Sequence, residues 1–246
     1  LLQAKATLTK RSRHESTALM MGAEDGRIDA VRAILTAGAK TGVNIVNKRD
    51  SRGYTAVHLA VENGHAIVVT ALVKASANVK LPRENGWTPM LTAAYCGSKD
   101  VLQHLVAGKA DVNEKFHGPG AFSPLHLAAY NGFDKTILEL GRLGAKVNEP
   151  MDNGWSPLMV AAAMGNTRAA AALVSMKASI NFQGNEDGIT ALMAAASYGG
   201  QSGPSCVGLL LCSKANLELR QTRGLDALMI TARMGHVQSA RQILQQ

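Results

Sequence analysis

The chain has 246 residues, 46% of them hydrophobic, which is ordinary for a folded protein, and a formal net charge of +8. Its aromatics are few (four Phe, four Tyr and two Trp), too few for one large compact core, whereas abundant Ala, Leu, Val and Met favour close-packed helices with shallow interfaces. No apolar run approaches the ~18 residues of a membrane span, and Cys96, Cys206 and Cys212, odd in number and without metal-ligand spacing, argue against a secreted disulfide scaffold and for free thiols in a reducing intracellular compartment, cytoplasm or organelle matrix.

Residues 1–13 form a basic tail with Lys5, Lys10, Arg11 and Arg13. The chain opens on Leu1 rather than Met, which fits a processed product or part of a longer protein. From residue 14 onward, a helix-capping residue followed nine positions later by Gly recurs seven times: Thr17/Gly26, Thr55/Gly64, Thr88/Gly97, Ser123/Gly132, Ser156/Gly165, Thr190/Gly199 and Asp226/Gly235. Successive starts lie 38, 33, 35, 33, 34 and 36 residues apart. A Ser, Thr or Asp at the N-cap accepts a hydrogen bond from an otherwise orphaned helical N–H. Pro89, Pro124 and Pro157 stand at the first helical position, where the missing N–H costs nothing. Each short helix then ends at Gly, which takes a left-handed conformation cheaply.

A second helix follows in each unit, with apolar residues at helical spacing: Val68, Val69, Leu72 and Val73; Val101, Leu102, Leu105 and Val106; Ile137, Leu138 and Leu140. A turn then carries Ala and a β-prone pair, as in Ala110-Asp111-Val112-Asn113, and a Gly arrives two positions before the next cap, as at Gly53, Gly86 and Gly154. The unit is therefore a hairpin followed by two helices. Extra residues around Lys40–Ile45, His117–Gly120 and Gln201–Pro204 are expected in turns outside the helices.

Segments such as Gly86-Trp-Thr-Pro-Met-Leu-Thr-Ala-Ala94 and Phe122-Ser-Pro-Leu-His-Leu-Ala-Ala129 resemble the ankyrin-repeat signature, with a period near the ~33 residues of that family. The resemblance implies an all-α solenoid of about seven hairpin–helix–helix units, a single domain over residues 14–246 with repeats starting near 14, 52, 85, 120, 153, 187 and 223. The sequence departs from the signature in two ways. The first-helix His survives only as His58 and His126, with Met20, Met159, Met193 and Met229 elsewhere, so the polar contact by which the family ties adjacent hairpins is expected to be missing there. Ser76, Lys109, Lys177 and Lys214 replace the Gly after the second helix. If they stay left-handed, each costs about 1–2 kcal/mol.

The family resemblance also implies that hairpin tips and first helices line a concave binding side. Exposed positions there are expected just before each cap and in the pair before each Gly. Those positions carry Tyr54, Trp87, Tyr95, Phe122, Tyr130, Trp155, Met164 and Tyr198 as candidate protein-binding residues. Seven of the ten aromatics thus fall on one strip, and Tyr and Trp are frequent interface anchors.

Positive charge concentrates toward the start, in Lys5, Lys10, Arg11 and Arg13 and again in Lys48, Arg49 and Arg52. This basic end can steer an acidic protein partner or contact RNA phosphates. No Gly-rich phosphate loop or zinc-ligand spacing is present, and Cys96 has no neighbouring base to activate it. The expectation is a non-catalytic, intracellular protein-binding adaptor or scaffold. It needs no cofactor, metal or small-molecule substrate and does not insert into a membrane. The alternative is a structural subunit of a large organelle assembly, an RNA-containing one included, held through the basic N-terminal end.

Overall fold

A computed structural model describes residues 7–198 and 203–246. Lys5 and Gly199 lie outside the described residues, as do Gln201 and Ser202 of the third insertion. The chain packs as two compact units, one ending at Val112 and the other running from Asn113 to Gln246.

The first unit holds six named helices: α1 (Ala18–Glu24), α2 (Ile28–Thr41), α3 (Ala56–Glu62), α4 (Ala66–Lys74), α5 (Pro89–Cys96) and α6 (Lys99–Ala107). The second holds α7 (Pro124–Asn131), α8 (Asp134–Arg142), α9 (Pro157–Ala163), α10 (Thr167–Ser175), α11 (Ala191–Tyr198), α12 (Gly203–Cys212), α13 (Ala227–Met234) and α14 (Val237–Leu244). Odd-numbered helices are the short ones expected after each cap, and even-numbered helices are their partners. No strand forms among the described residues apart from one isolated bridge, Arg11 to Thr17.

The caps work as the sequence predicts. Thr17, Thr88, Ser156, Thr190 and Asp226 accept from the N–H three residues on at 2.8–3.4 Å. Gly26, Gly64, Gly97, Gly132, Gly165 and Gly235 all have φ between 68° and 78°. First helices are buried almost throughout: Met90 to Ala94, Leu125 to Ala129 and Leu158 to Ala163 are all buried. Small side chains make this possible, because Ala–Ala faces let α3, α9 and α11 each pack between two other first helices. Second helices bury one stripe, including Val68, Val69 and Leu72 on α4 and Ile137 and Leu140 on α8, while Leu138 is exposed.

Each hairpin tip is closed by one backbone bond into the carbonyl before the cap: Asp50 to Tyr54, Arg83 to Trp87, Phe116 to Phe122, Met151 to Trp155, Gly184 to Ile189 and Gln221 to Leu225, at 2.9–3.0 Å. Side-chain links then run from one repeat to the next. Asn47 accepts from the Asn78 N–H, Asn113 from Lys146, Asn148 from Ser179 and Asn181 from Asn216, all at 2.7–2.8 Å. His65, Asn166 and His236, at the start of second helices, bond to first-helix carbonyls of the preceding repeat: Glu24 at 3.0 Å, Tyr130 at 2.7 Å and Ala196 at 2.7 Å.

Two expectations need correction. The first insertion does not lie in a turn: it lengthens α2 to fourteen residues, and the helix stops only at Gly42, whose φ is 68°. Ala37, Ala39 and Lys40, all good helix formers, carry the chain past the point where other second helices end, despite Gly38 among them. The third insertion likewise reaches into a helix, since Gly203 and Pro204 open α12. At two of the Met substitutions the local bond to the cap survives, though a thioether has no proton to donate to the adjacent hairpin. The sulfurs of Met20 and Met159 accept the Thr17 and Ser156 N–H groups at 3.4 and 3.5 Å. A thioether is a weak acceptor, so these bonds are poorer versions of the histidine ones. The second insertion does sit in a tip, where Phe116 and Phe122 stack with centroids 4.6 Å apart.

Candidate functional site

In the first unit the hairpin before α5 supplies Arg83 and Trp87, and the first helices α3 and α5 supply Glu62, Tyr95 and Cys96. Tyr54 and Trp87 are half-buried rather than exposed. The reason is Arg83, which the sequence did not single out. Its guanidinium lies 4.8 Å from the Tyr54 ring centre and 5.5 Å from that of Trp87, and it bonds the Tyr54 hydroxyl. Arg52 covers Tyr54 from 4.7 Å. Such a cation held against aromatic faces stiffens both partners. Tyr95 stands edge-on to Trp87 with centroids 5.1 Å apart and remains 46% exposed.

The second unit repeats the arrangement with different residues. Trp155 is half-buried and its Nε1 donates to Asp187 at 3.4 Å. Tyr198 tilts against it at 6.0 Å and is 57% exposed. Tyr130, at 51%, and Met164, at 44%, project from the ends of α7 and α9. Phe122 is half-buried in its stack with Phe116. The eight candidates therefore divide by role. In the first unit Tyr54 and Trp87 are half-buried while Tyr95 stands out; in the second Phe122 and Trp155 are half-buried while Tyr130, Met164 and Tyr198 stand out.

His58 and His126 are fully buried. The Ser123 N–H and hydroxyl both reach Nδ1 of His126, at 3.2 and 2.8 Å, so that nitrogen must accept and the proton sits on Nε2. Nε2 in turn donates to the Trp155 carbonyl at 3.1 Å, tying one repeat to the next. His58 repeats the bonds to its cap through Thr55, but its Nε2 makes no bond of acceptable geometry. Burial holds both imidazoles neutral, with pKa values lowered to about 4.

The basic end is largely tied into the fold. Arg11 pairs with Glu15 at 2.7 Å and donates to the Arg49 carbonyl at 3.3 Å. Arg49 bonds the carbonyls of Gly53 and Pro82, and Arg52 approaches buried Asp50 at 3.8 Å. Lys10, Arg13 and Lys48 are exposed. Arg11, Arg49 and Arg52, then, brace the first hairpins, and Lys10, Arg13 and Lys48 carry the remaining accessible charge.

Cys96 is exposed beside Glu62 and Arg83; partial burial, reinforced by the Glu62 carboxylate, pushes its thiol pKa up, against the opposing Arg83 charge. That is the reverse of what an activated nucleophile needs. Cys206 is buried, whereas Cys212 at the end of α12 is exposed. Among the described residues no helix is long and apolar enough to cross a membrane.

Comparison with known proteins matches these features. The family model described as "Ankyrin repeats (3 copies)" covers residues 19–116 and 125–220. The neurogenic locus notch homolog protein 1 of Xenopus tropicalis is 30% identical over 169 residues, which is 69% of this chain but only 7% of that protein. Among solved structures, the ankyrin repeat domain of Bcl-3, described as a unique member of the IkappaB protein family, aligns with a TM-score of 0.79 at 23% identity, covering 93% of this chain and 98% of that one. The human ASB11 ankyrin repeat domain aligns with a TM-score of 0.78 at 26% identity, over 94% and 98%. With most of its length matched by the family model, its capped helix pairs and its hairpin tips accounted for, the chain belongs to the ankyrin-repeat family.

Proposed function

We propose that this chain is a non-catalytic, intracellular protein-binding adaptor or scaffold that takes its partner through exposed residues at its first-helix ends, Tyr95 in the first unit and Tyr130, Met164 and Tyr198 in the second. Repeats of this family generally serve as protein-interaction scaffolds. The observation that carries the reading is the pairing of an exposed tyrosine with a fixed tryptophan in each unit, Tyr95 on Trp87 and Tyr198 on Trp155. An exposed ring already held in place loses little freedom on binding, which is what makes Tyr an effective anchor. The basic-end alternative draws less support, because Arg11, Arg49 and Arg52 are occupied within the fold.

The test is quantitative affinity capture from native extract, with and without RNase, comparing wild type with Tyr95→Ala/Tyr130→Ala/Tyr198→Ala. All three side chains are exposed, so folding should persist, as circular dichroism would verify. A protein partner should be retained by wild type and weakened at least about thirtyfold by the triple variant, about 2 kcal/mol. Partners removed by RNase and indifferent to the triple variant would overturn the reading in favour of an RNA-containing assembly at the basic end.

A further inference from the structure

The long helix α2 has a consequence among the second helices of the first unit. The nine-residue helix α4 is too short to cover it, and a trough opens between them. Its main part is a cavity of about 690 Å³ walled by α2 and α4, with His104 of α6 at one edge. A second cavity of about 390 Å³ continues it beyond the end of α4, the two sharing Leu35, Ala39 and Ala75. On one wall Arg32, Leu35, Thr36 and Ala39 recur every three or four residues; on the other Ile67, Thr70, Ala71 and Lys74 do the same. The hydroxyls of Thr36 and Thr70 are bonded back to the carbonyls of Arg32 and Ala66, at 2.8 and 2.9 Å, so neither offers a free polar group to the trough. Ile67 is 65% exposed.

We infer that this trough docks an amphipathic helix of another protein, with an aliphatic stripe against Leu35, Ala39 and Ile67 and carboxylates beside Arg32 and Lys74. The shape argues for a helix. Side-chain rows repeating every three and four residues leave grooves that accept the ridges of a third helix. An extended segment would find no partners for its backbone, since both walls are helices whose mid-helix N–H and C=O groups are already bonded. The charge fixes the flanks. Arg32 and Lys74 border the trough, and neither cavity is lined by a carboxylate. The length fits as well: α2 spans about 21 Å, room for roughly four turns alongside it.

The experiment uses fluorescence anisotropy on the full chain with labelled synthetic peptides of about 15 residues. One has Leu at helical spacing flanked by Glu, a second has Lys in place of Glu, and a third has the Leu positions scrambled. The Glu-flanked peptide should bind, and the other two should bind at least about tenfold more weakly. Ile67→Asp should weaken the Glu-flanked peptide by a similar factor, and Arg32→Glu/Lys74→Glu should reverse the preference between Glu and Lys flanks. Tyr95→Ala/Tyr130→Ala/Tyr198→Ala should leave this binding unchanged, which separates the trough from the tyrosines proposed above as anchors. Equal binding of all three peptides, or indifference to Ile67→Asp, would overturn the inference. So would a dimer of the wild-type chain in sedimentation that Ile67→Asp dissociates, because the occupant would then be a second copy.

Discussion

Four repeats turn out of the second helix on a residue that strains to be there. Ser76, Lys109, Lys177 and Lys214 have φ of 63°, 68°, 63° and 64°, while the fourth repeat keeps Gly144 at 93°. A left-handed L-residue costs about 1–2 kcal/mol. Replacing it with Gly removes that cost but adds about 0.5–1 kcal/mol of unfolded-chain entropy, for a net gain of about 0.5–1 kcal/mol at each site. The three lysine side chains are exposed, so little packing is lost. The sites lie more than thirty residues apart along the chain and should add. Lys109→Gly/Lys177→Gly/Lys214→Gly should therefore stabilise the protein by about 2 kcal/mol and raise Tm by about 4–8 °C. The reciprocal control is Gly144→Ala, whose new Cβ would meet nothing within 4 Å, so its effect is purely conformational. It should lower stability by about 0.5–1 kcal/mol. Urea titrations and thermal melts followed by circular dichroism measure both. A triple variant that melts below wild type, or a Gly144→Ala that melts above it, would refute the strain argument.

Two further outcomes follow from the buried side chains. His126 gains a proton near pH 6.5 when unfolded but only near pH 4 when folded, so its contribution is intact above about 6.5 and is lost as pH falls toward about 4, a loss of about 3 kcal/mol. His126→Met, the residue used by neighbouring repeats, should flatten that acid limb in denaturation curves measured between pH 7 and 4; an unchanged limb would place the proton uptake elsewhere. Aromatic-disulfide titration of the native protein should modify Cys96 and Cys212 while Cys206 reacts only after denaturation, and rapid labelling of Cys206 would mean that α12 opens readily.

The repeat was legible because its signals are local. A cap such as Ser123, a proline such as Pro124 and a helix-ending Gly132 each act within one turn of backbone, and the structure uses them as expected. The left-handed Lys109 and Lys177 were legible for the same reason. Depth at the candidate residues was harder to read. Tyr54 and Trp87 look like exposed pre-cap rings until Arg83, 29 residues from Tyr54, is seen bonded and stacked against them. Arg49 reads as surplus charge, yet it bonds a carbonyl 33 residues away. The length of α2 was misread because an insertion between a helix and a turn can be absorbed by either. The asparagines at 47, 113, 148 and 181 did carry a signal, a recurrence in the same part of the unit, whose meaning depended on which backbone N–H each one faces.

Those asparagine bonds bear on how such a chain can change its length over evolutionary time. Each one reaches only from its own repeat to the next, between 31 and 35 residues on. A gene segment of one period that is duplicated or lost therefore rejoins with an asparagine still facing an equivalent N–H, and the junction needs no compensating substitution. Recombination within this sequence has a ready supply of viable products, each one repeat longer or shorter than its parent.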